Sequence, residues 1–392
     1  MKQNNTADII IIGGGIIGCS IAYNLANQGA KNIVVLEKGK LCSGGTAKSC
    51  AITRSHYSIE ANVHHAVESV KIFENFDDMV GGDPRFTCTG QLVLGQEKYR
   101  PVMENVFCTQ NKYGSETQTL TPAEAAKLHP LLQFEDLEVI GFESRSGYCD
   151  PYLTTIAYAK RAKDLGVKFF TGTSVTGIRI NAVNKTIETR RSDFECSTLI
   201  LAAGPWTHNL GKMLGIKFPY EIIKHKVLTL KIDIPYEKDW PIVKDLLTPE
   251  KIYFRPDSGG VVLVGTGDQG DAVTYIDEMT DEVEMEHIER IGKRMANRMP
   301  DFADAKLVRS WTGPYDIPPD WNPIIGPVPD LEGVHVAVGF SGHGFKLAPT
   351  VGESLAQQVL GNEPRVPIQM YDMTRFETGK TLNGAYGIGT FA

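Results

Sequence analysis

Residues 8–18, Asp-Ile-Ile-Ile-Ile-Gly-Gly-Gly-Ile-Ile-Gly, decide the fold of this chain. The β-branched run 8–12 is too short for a helix and is bounded by glycine, which predicts a buried parallel strand. Gly13 allows a tight turn, Gly15 lets backbone N–H groups approach a pyrophosphate, and Gly18 lets the next helix pack closely on the strand. The stretch therefore predicts a dinucleotide-binding strand, turn and helix.

The residues that follow complete this unit. The helix is expected to run from about Ile16 to Gln28, and Gly29 is the residue type that closes a helix in the left-handed conformation. Its N-terminus directs partial positive charge at phosphates. A second strand, residues 32–37, ends at Glu37, whose carboxylate can accept hydrogen bonds from ribose hydroxyls. Strand, glycines, helix, strand and terminal acid thus occur in the order that a nucleotide fold requires.

The composition of the 392-residue chain is that of an ordinary globular protein, with 42% hydrophobic and 22% charged residues. This length predicts about two domains. The net charge of -7 argues against nucleic acid as a partner, since phosphate binding needs a basic surface. Seven scattered cysteines without a CxxC pair favour reduced thiols in a cytoplasmic protein. The apolar segment 9–26 contains three consecutive glycines and no cleavage site, which favours a nucleotide fold over a signal peptide or a membrane span.

Periodicity and turn signals divide the chain into segments. A nucleotide domain is expected to be assembled from three discontinuous segments, residues 1–80, 143–215 and 309–375. A β-rich domain is expected to be inserted into it, residues 81–142 and 216–308. The first inserted segment carries one well-marked helix, which begins at a Thr121 capping box. Residues 376–392 form a glycine-rich tail that is expected to be loosely held.

A long loop and a second helix start carry the residues that suit chemistry. Residues 38–57 are rich in Gly, Ser, Thr and Lys, and a loop of this length inside a compact domain is usually functional. It contains Arg54, and an amphipathic helix is expected after it at residues 60–79. Residues 342–344, Gly-His-Gly, open another helix, whose N-terminus can stabilise anionic charge on a reduced flavin. This favours flavin over nicotinamide. Arg54 and Lys346 are cations suited to a small carboxylate.

Several stretches together carry a resemblance to a known family: the N-terminal fingerprint with Glu37, and residues 51–57, 201–206, 323–326 and 339–346. They resemble the flavin amine oxidoreductases that include D-amino acid oxidase, glycine oxidase, sarcosine oxidase, pipecolate oxidase and dimethylglycine dehydrogenase. The resemblance implies an α/β fold, α+β overall. Its parts are a glutathione-reductase-like Rossmann FAD domain of discontinuous segments and an antiparallel β-sheet substrate domain.

The resemblance also implies roles for individual residues. By the resemblance, Arg54 and Lys346 would hold the substrate carboxylate. Separately from the resemblance, Tyr253 is expected to contact the substrate, and Lys48 and Tyr315 are expected at the reacting centre. Contacts to FAD are expected from Gly13, Gly15, Ile16, Gly18, Glu37, Lys38, Gly45, Thr46, Val175, Ala203, Gly204, Trp206, Gly342, His343, Gly344, Phe345 and Lys346. No metal site is expected.

The chain departs from the family pattern at three places. Monomeric sarcosine oxidases attach flavin through a Cys two residues before a Tyr, whereas Gly313 precedes Tyr315 here. The heterotetrameric enzyme carries FMN on a His where Cys149 stands, before Asp150. The FAD is therefore expected to be non-covalent. Sarcosine oxidases also use a substrate-domain Lys to activate oxygen, and residues 252–292 contain no Lys.

These observations predict FAD-dependent oxidation of a small secondary or tertiary amino acid of the sarcosine or dimethylglycine type. A D-amino acid or cyclic imino acid dehydrogenase is the nearest alternative, with Tyr253 and His225 as the residues that would decide. A non-catalytic flavoprotein subunit is the alternative of another class. The electron acceptor is expected to be a quinone, an electron-transfer flavoprotein or oxygen. Oxygen is expected to be a poor acceptor unless Lys48 replaces the missing cation. A homo-oligomer is left open.

Overall fold

The computed structural model describes residues 4–181, 184–267 and 270–387. Within these ranges the strands are, in chain order, β1 (Asn4–Ile12), β2 (Ile33–Leu36), β3 (Ile52–Thr53), β4 (Thr87–Cys88), β5 (Gln91–Gly95), β6 (Thr117–Thr119), β7 (Val139–Glu143), β8 (Gly147–Tyr148), β9 (Lys168–Phe170), β10 (Val175–Ile180), β11 (Lys185–Thr189), β12 (Asp193–Leu201), β13 (Glu221–Lys231), β14 (Ile242–Asp245), β15 (Tyr253–Asp257), β16 (Val261–Gly265), β17 (Asp271–Ala272), β18 (Lys306–Ile317), β19 (Ile324–Pro327) and β20 (Val334–Val338). The helices of the same ranges are α1 (Ile16–Asn27), α2 (Glu60–Glu74), α3 (Phe76–Met79), α4 (Arg100–Lys112), α5 (Pro122–Leu128), α6 (Pro151–Asp164), α7 (Thr207–Leu214), α8 (Met285–Arg298) and α9 (Gly344–Val359).

The first sheet is organised around β1, whose apolar run is buried on both faces. Ile9 and Ile11 pack in one core with residues of α1 and α9, and Ile10 and Ile12 pack in another with Leu199. β1 pairs in parallel with β2 and with β12, and β9 and β20 extend the parallel sheet on either side. The antiparallel strands β10, β11 and β19 complete it. The expected α/β fold is confirmed.

The second sheet has the strand order β17-β13-β16-β15-β14-β5-β7-β6, and β18 pairs with β13. All of these pairs are antiparallel except β5 with β14, which are parallel. One face of the sheet packs on α8 through Ile291 and Met295. Cys50, from the loop after β2, and Ile52 of β3 pack against side chains of β13, β14 and β16 on the other face. The second sheet thus packs against the segment that follows β2 of the first sheet.

Two helix predictions need correction. The expected helix at 60–79 is interrupted at Asn75, so that α2 and α3 are separate. The segment 81–142 contains α4 in addition to the expected α5, whose capping box at Thr121 is present. The α4 sequence buries Met103, Val106 and Phe107, which have helical spacing, and this signal was available in the sequence.

One residue of the tail, Tyr386, packs against the rest of the chain. Tyr386 is buried, and its hydroxyl lies 2.8 Å from Nε2 of the fully buried His56. Just before the tail, Arg375 forms a buried ion pair with Asp320 at 2.8 Å. Residues 377–381 are exposed, so Tyr386 anchors the tail at one point and the expectation of a loosely held tail stays a prediction; residues 388–392 lie outside the described ranges.

Candidate active site

A cavity of about 490 Å³ is lined by both sheets. We call the part lined by Gly13, Glu37 and Trp206 the nucleotide end, and the part lined by Lys244 and Tyr253 the sheet end. The carboxyl ends of the parallel strands β1 and β12 open into the nucleotide end. Open α/β sheets bind ligands at this edge.

The glycine turn has the geometry that its sequence predicts. Gly13 has a φ of 120°, and a Cβ there would lie 2.3 Å from the carbonyl oxygen of Ala202. A Cβ at Gly18 would lie 2.0 Å from the oxygen of Gly13, so this glycine lets α1 pack on the turn. Gly15 caps α1 without a side-chain hydrogen bond, and the backbone N–H of Ile16 donates to Thr46 Oγ1 at 3.2 Å. The turn and the first loop therefore meet at the start of α1.

Charged side chains form hydrogen bonds and an ion pair around the nucleotide end of the cavity. The Glu37 carboxylate accepts hydrogen bonds from the backbone N–H of Gly14 at 2.7 Å and from that of Gly39 at 2.6 Å. Trp206 Nε1 donates to Asp277 at 2.7 Å, and Lys38 pairs with the same carboxylate at 3.1 Å. These contacts join loops from three distant parts of the chain.

The start of α9 is the second glycine-fed helix end. Gly342 has a φ of 80°, and a Cβ there would lie 2.4 Å from Tyr315 Cζ, so the glycine also makes room for this ring. His343 caps the helix without a side-chain hydrogen bond. Asp316 accepts a hydrogen bond from the Gly339 N–H at 2.7 Å, and burial raises the pKa of its carboxyl group to about 6.

Arg54 and Lys346 reach the cavity from different elements. Arg54 follows β3, its guanidinium lies 4.4 Å from the centre of the Tyr57 ring, and it donates to the carbonyl oxygen of His56. Lys346 lies in the first turn of α9 and is 8% exposed. Burial lowers the pKa of Lys346 well below its ordinary value, and the positive charges of Arg54 and Lys244 lower it further. The structure therefore gathers cations at the sheet end.

The face of the second sheet that lines the cavity carries polar side chains. The register pairs Lys244 of β14 with Tyr253 of β15, and Tyr253 with Gly265 of β16. A Cβ at Gly265 would lie 2.3 Å from the Tyr253 ring, so the glycine leaves room for it. The Tyr253 hydroxyl lies 3.0 Å from His225 Nε2 and 3.4 Å from Cys50 Sγ. The His225 ring stacks on Tyr315 at 4.4 Å.

The residues predicted from the sequence come together, with one exception. Gly18 lies within α1 and does not line the cavity. Every other residue that was proposed to contact FAD, to bind substrate or to act in catalysis lines it. Lys48 lines it too, but its ammonium pairs with Asp281 at 2.5 Å. Sequence reasoning missed Gln91 and Lys244, which also line the cavity. Because strand pairing brings these two together, the local sequence carried no signal for them.

The cavity fits the FAD that the resemblance implies. Two helix N-termini without side-chain caps border it, and anionic groups are favoured at such ends. A Cβ at Gly44 would lie 3.3 Å from the Trp206 ring, so the first loop approaches this ring closely. Within the described ranges no three His, Cys, Asp or Glu side chains are arranged to hold a metal ion. Over the same ranges no helix has both the length and the apolar character to cross a membrane.

Comparison with known proteins finds relatives that match nearly the whole chain. It is 27% identical over 94% of its length to the Mus musculus mitochondrial pyruvate dehydrogenase phosphatase regulatory subunit, covering 43% of that protein. It is 26% identical over 96% of its length to Homo sapiens mitochondrial sarcosine dehydrogenase, covering 42% of that protein. The chain thus spans less than half the length of these relatives. The crystal structure of L-proline dehydrogenase from P. horikoshii superposes with a TM-score of 0.89, at 28% identity over 96% of this chain and 99% of the other.

A family model also matches most of the chain. The model of the DAO family, described as FAD dependent oxidoreductase, matches residues 8–358. This range contains both glycine-fed helix starts, Arg54, Lys346 and the strands of both sheets. The chain belongs to the DAO family of FAD-dependent oxidoreductases.

Proposed function

We propose that this protein oxidises a small amino acid bearing a secondary or tertiary amine, of the sarcosine or dimethylglycine type, at a non-covalently bound FAD. The observation that carries the proposal is the placement of Arg54 and Lys346. They come from the end of β3 and the first turn of α9, and both line the cavity that the glycine turn opens into. Two cations in one enclosed space suit a carboxylate.

The side chains of the sheet end have defined tasks in this proposal. Arg54 and Lys346 orient the carboxylate, and their positive field holds the reacting amine neutral, since nearby like charge disfavours the ammonium form. Tyr253 and His225, which are hydrogen-bonded to each other, lie beside the substrate and shape its position. FAD, when bound, supplies the acceptor for the hydride that leaves the carbon next to nitrogen. Water then hydrolyses the substrate imine.

Anaerobic reduction tests the proposal. Sarcosine, dimethylglycine, L-proline and D-alanine are added in turn to the FAD-loaded protein without oxygen, and the flavin absorbance is followed. We expect sarcosine or dimethylglycine to bleach the flavin fastest. If none of these compounds reduces it, and a wide panel of amines also fails, the proposed reaction is wrong.

A D-amino acid or cyclic imino acid dehydrogenase is the second candidate. The similarity to P. horikoshii L-proline dehydrogenase over nearly the whole chain favours the cyclic imino acid. Such a substrate would use the same pair, Arg54 and Lys346. In the anaerobic test, a kcat/KM for L-proline above that for sarcosine would favour this candidate.

A non-catalytic flavoprotein subunit is the candidate of another class. The Mus musculus relative is named as a regulatory subunit, which supports it. The buried position of Lys346 supports catalysis instead, because burying a cation is costly unless a ligand uses it. Stoichiometric FAD without reduction by any amine would favour the non-catalytic candidate.

A lysine of the second sheet bears on the choice of electron acceptor. The absence of Lys from residues 252–292 predicted that oxygen would be a poor acceptor. In the structure, however, Lys244 Nζ lies 2.5 Å from the position of a Cβ at Gly267, so a neighbouring strand brings a cation to this region. We propose a dehydrogenase on other grounds, because the sarcosine and L-proline relatives are named dehydrogenases.

Mixing the reduced protein with air-saturated buffer tests this choice. Reoxidation no faster than that of free reduced flavin supports a dehydrogenase, whereas fast reoxidation with stoichiometric peroxide would make the protein an oxidase. In that case the variants Lys244→Met and Lys48→Met identify which cation is responsible. Because Lys48 is paired with Asp281, we expect Lys48→Met to have only a small effect.

A further inference from the structure

Lys346 is a buried amine that lines the cavity, and its side chain has no partner among the residues that the structure describes. It is 8% exposed, and within the described ranges its Nζ takes part in neither a hydrogen bond nor an ion pair. An isolated ammonium group is costly to bury, whereas the neutral amine of the same side chain is not. A lysine in such a place gives up its proton at a lower pH than an exposed one does.

The position of Lys346 also disfavours a positive charge. It lies in the first turn of α9, at the positive end of the helix dipole. Burial lowers its pKa well below the ordinary value of 10.5, Arg54 and Lys244 lower it further, and Cys50 opposes them. None of these groups is a carboxylate, and burial also keeps His343, at the start of the same helix, neutral. The neutral amine of Lys346 is therefore the form that this site favours before a ligand binds.

Other titratable groups of the cavity wall are poor acceptors for the proton of an amine. Burial raises the pKa of Asp316 to about 6 and lowers that of His343 well below 6.5, so both are weak bases. His225 Nε2 is hydrogen-bonded to Tyr253, and burial raises the pKa of this tyrosine, which keeps its own proton. Lys346 starts from a pKa of 10.5, close to that of the ammonium group of a free amino acid. It is therefore the base that matches a substrate amine.

We propose that Lys346 receives the substrate as a neutral amine and takes the ammonium proton of the zwitterionic amino acid. An N–H bond of the substrate breaks as an N–H bond forms at Lys346 Nζ, and neither group is oxidised or reduced. The reacting nitrogen keeps its lone pair, and the new Lys346 ammonium pairs with the substrate carboxylate beside Arg54. Lys346 returns the proton to water when the product leaves. This inference rests on the proposed function and adds a proton acceptor to it.

Proton exchange on ligand binding tests the inference without turnover. The FAD-loaded protein is titrated by calorimetry in buffers of different ionisation enthalpy at about pH 8.5, which lies between the pKa of a buried lysine and that of a free amino acid ammonium group. Propionate has no proton to give, so we expect its binding to take up about one proton per site from water. 2-Methylalanine has an ammonium group but no hydrogen on the carbon next to nitrogen, so it is not oxidised. Its binding should take up no proton.

The variant Lys346→Arg separates proton transfer from carboxylate binding. Arginine keeps the positive charge but is not deprotonated in a protein, so propionate should bind without proton uptake. Lys346→Met should lose the proton uptake and also bind propionate more weakly, whereas exposed Lys293→Met should behave as the wild type does. Each variant is included only with full FAD content. Absence of proton uptake with propionate in the wild type, or uptake that persists in Lys346→Arg, would overturn the inference.

The pH dependence of anaerobic reduction by sarcosine separates this inference from the proposed function. In the wild type, kcat/KM should level off above the pKa of Lys346, because the neutral lysine accepts the substrate proton. In Lys346→Arg it should keep rising by about tenfold per pH unit up to the pKa of the sarcosine ammonium group. The same profile in both proteins would overturn the inference and leave the function standing. Proton uptake with propionate that is lost in Lys346→Arg, without reduction by any amine, would overturn the function and leave the neutral Lys346 standing.

Discussion

The two ends of the cavity use different chemistry. The nucleotide end is built mainly from backbone: the turn at Gly13, the start of α1 and a carboxylate, Glu37, that bonds to backbone N–H groups. The sheet end is built from side chains of strands far apart in sequence, among them Gln91 and Lys244. A backbone cradle suits a ligand common to a whole family, and a side-chain cluster can change with the substrate. Substitutions at the two ends should therefore have separable effects.

Arg54→Ala is the strongest test of this separation. It should remove a charged partner of the bound carboxylate, at about 2 to 5 kcal/mol, or roughly 30-fold to several thousand-fold in affinity. FAD content should not change, because Arg54 lies outside the nucleotide end. The measurements are the propionate Kd and the ratio of flavin to protein, and exposed Arg190→Ala is the matched control. Loss of flavin with unchanged propionate affinity would show that Arg54 is structural.

Glu37→Ala should have the opposite pattern. It removes two charge-assisted hydrogen bonds that hold the Gly14 and Gly39 N–H groups, and we expect FAD to bind about tenfold to a hundredfold more weakly. Propionate affinity of the FAD-saturated protein should not change. FAD titration of the apoprotein measures the effect, with exposed Glu289→Ala as the control. A change in propionate affinity alone would contradict the separation of the two ends.

The pH dependence of carboxylate binding should report Lys346. Because its pKa is lowered from 10.5, the ammonium is lost at a lower pH than in an ordinary lysine, and the propionate Kd should then rise up to about tenfold per pH unit. The pKa of nearby His343 falls well below 6.5 and that of Tyr253 rises well above 10, so both titrate outside this range. The rise should vanish in Lys346→Met and persist in exposed Lys293→Met. A midpoint at or above 10.5 would contradict the expected shift.

The two ends of the cavity also differ in how far their residues could be predicted from the sequence. The glycine turn, Glu37 and the start of α9 are local patterns, so their positions around one cavity were predictable once the α/β fold was assigned. Gln91 and Lys244 meet only through the parallel pairing of β5 with β14, which no local pattern encodes. The contact of Tyr386 with His56 was missed for a similar reason, because glycine content describes a segment and not the residues it contacts.

Tyr386 of the tail is connected to Arg54 through His56, and we expect its substitution to have the smallest effect of those considered. The Tyr386 hydroxyl is hydrogen-bonded to His56, whose Nδ1 lies 2.9 Å from Glu143, and Arg54 donates to the His56 carbonyl oxygen. Tyr386→Phe removes one buried hydrogen bond, so we expect a loss of about 1 kcal/mol in the free energy of unfolding. A slight shift of Arg54 should weaken propionate binding only about twofold. Thermal unfolding and the propionate Kd are the measurements, and exposed Tyr152→Phe is the control. An unchanged Tm with unchanged Kd would show that the tail does not support Arg54, whereas a loss of FAD would mean that the tail acts on the nucleotide end instead.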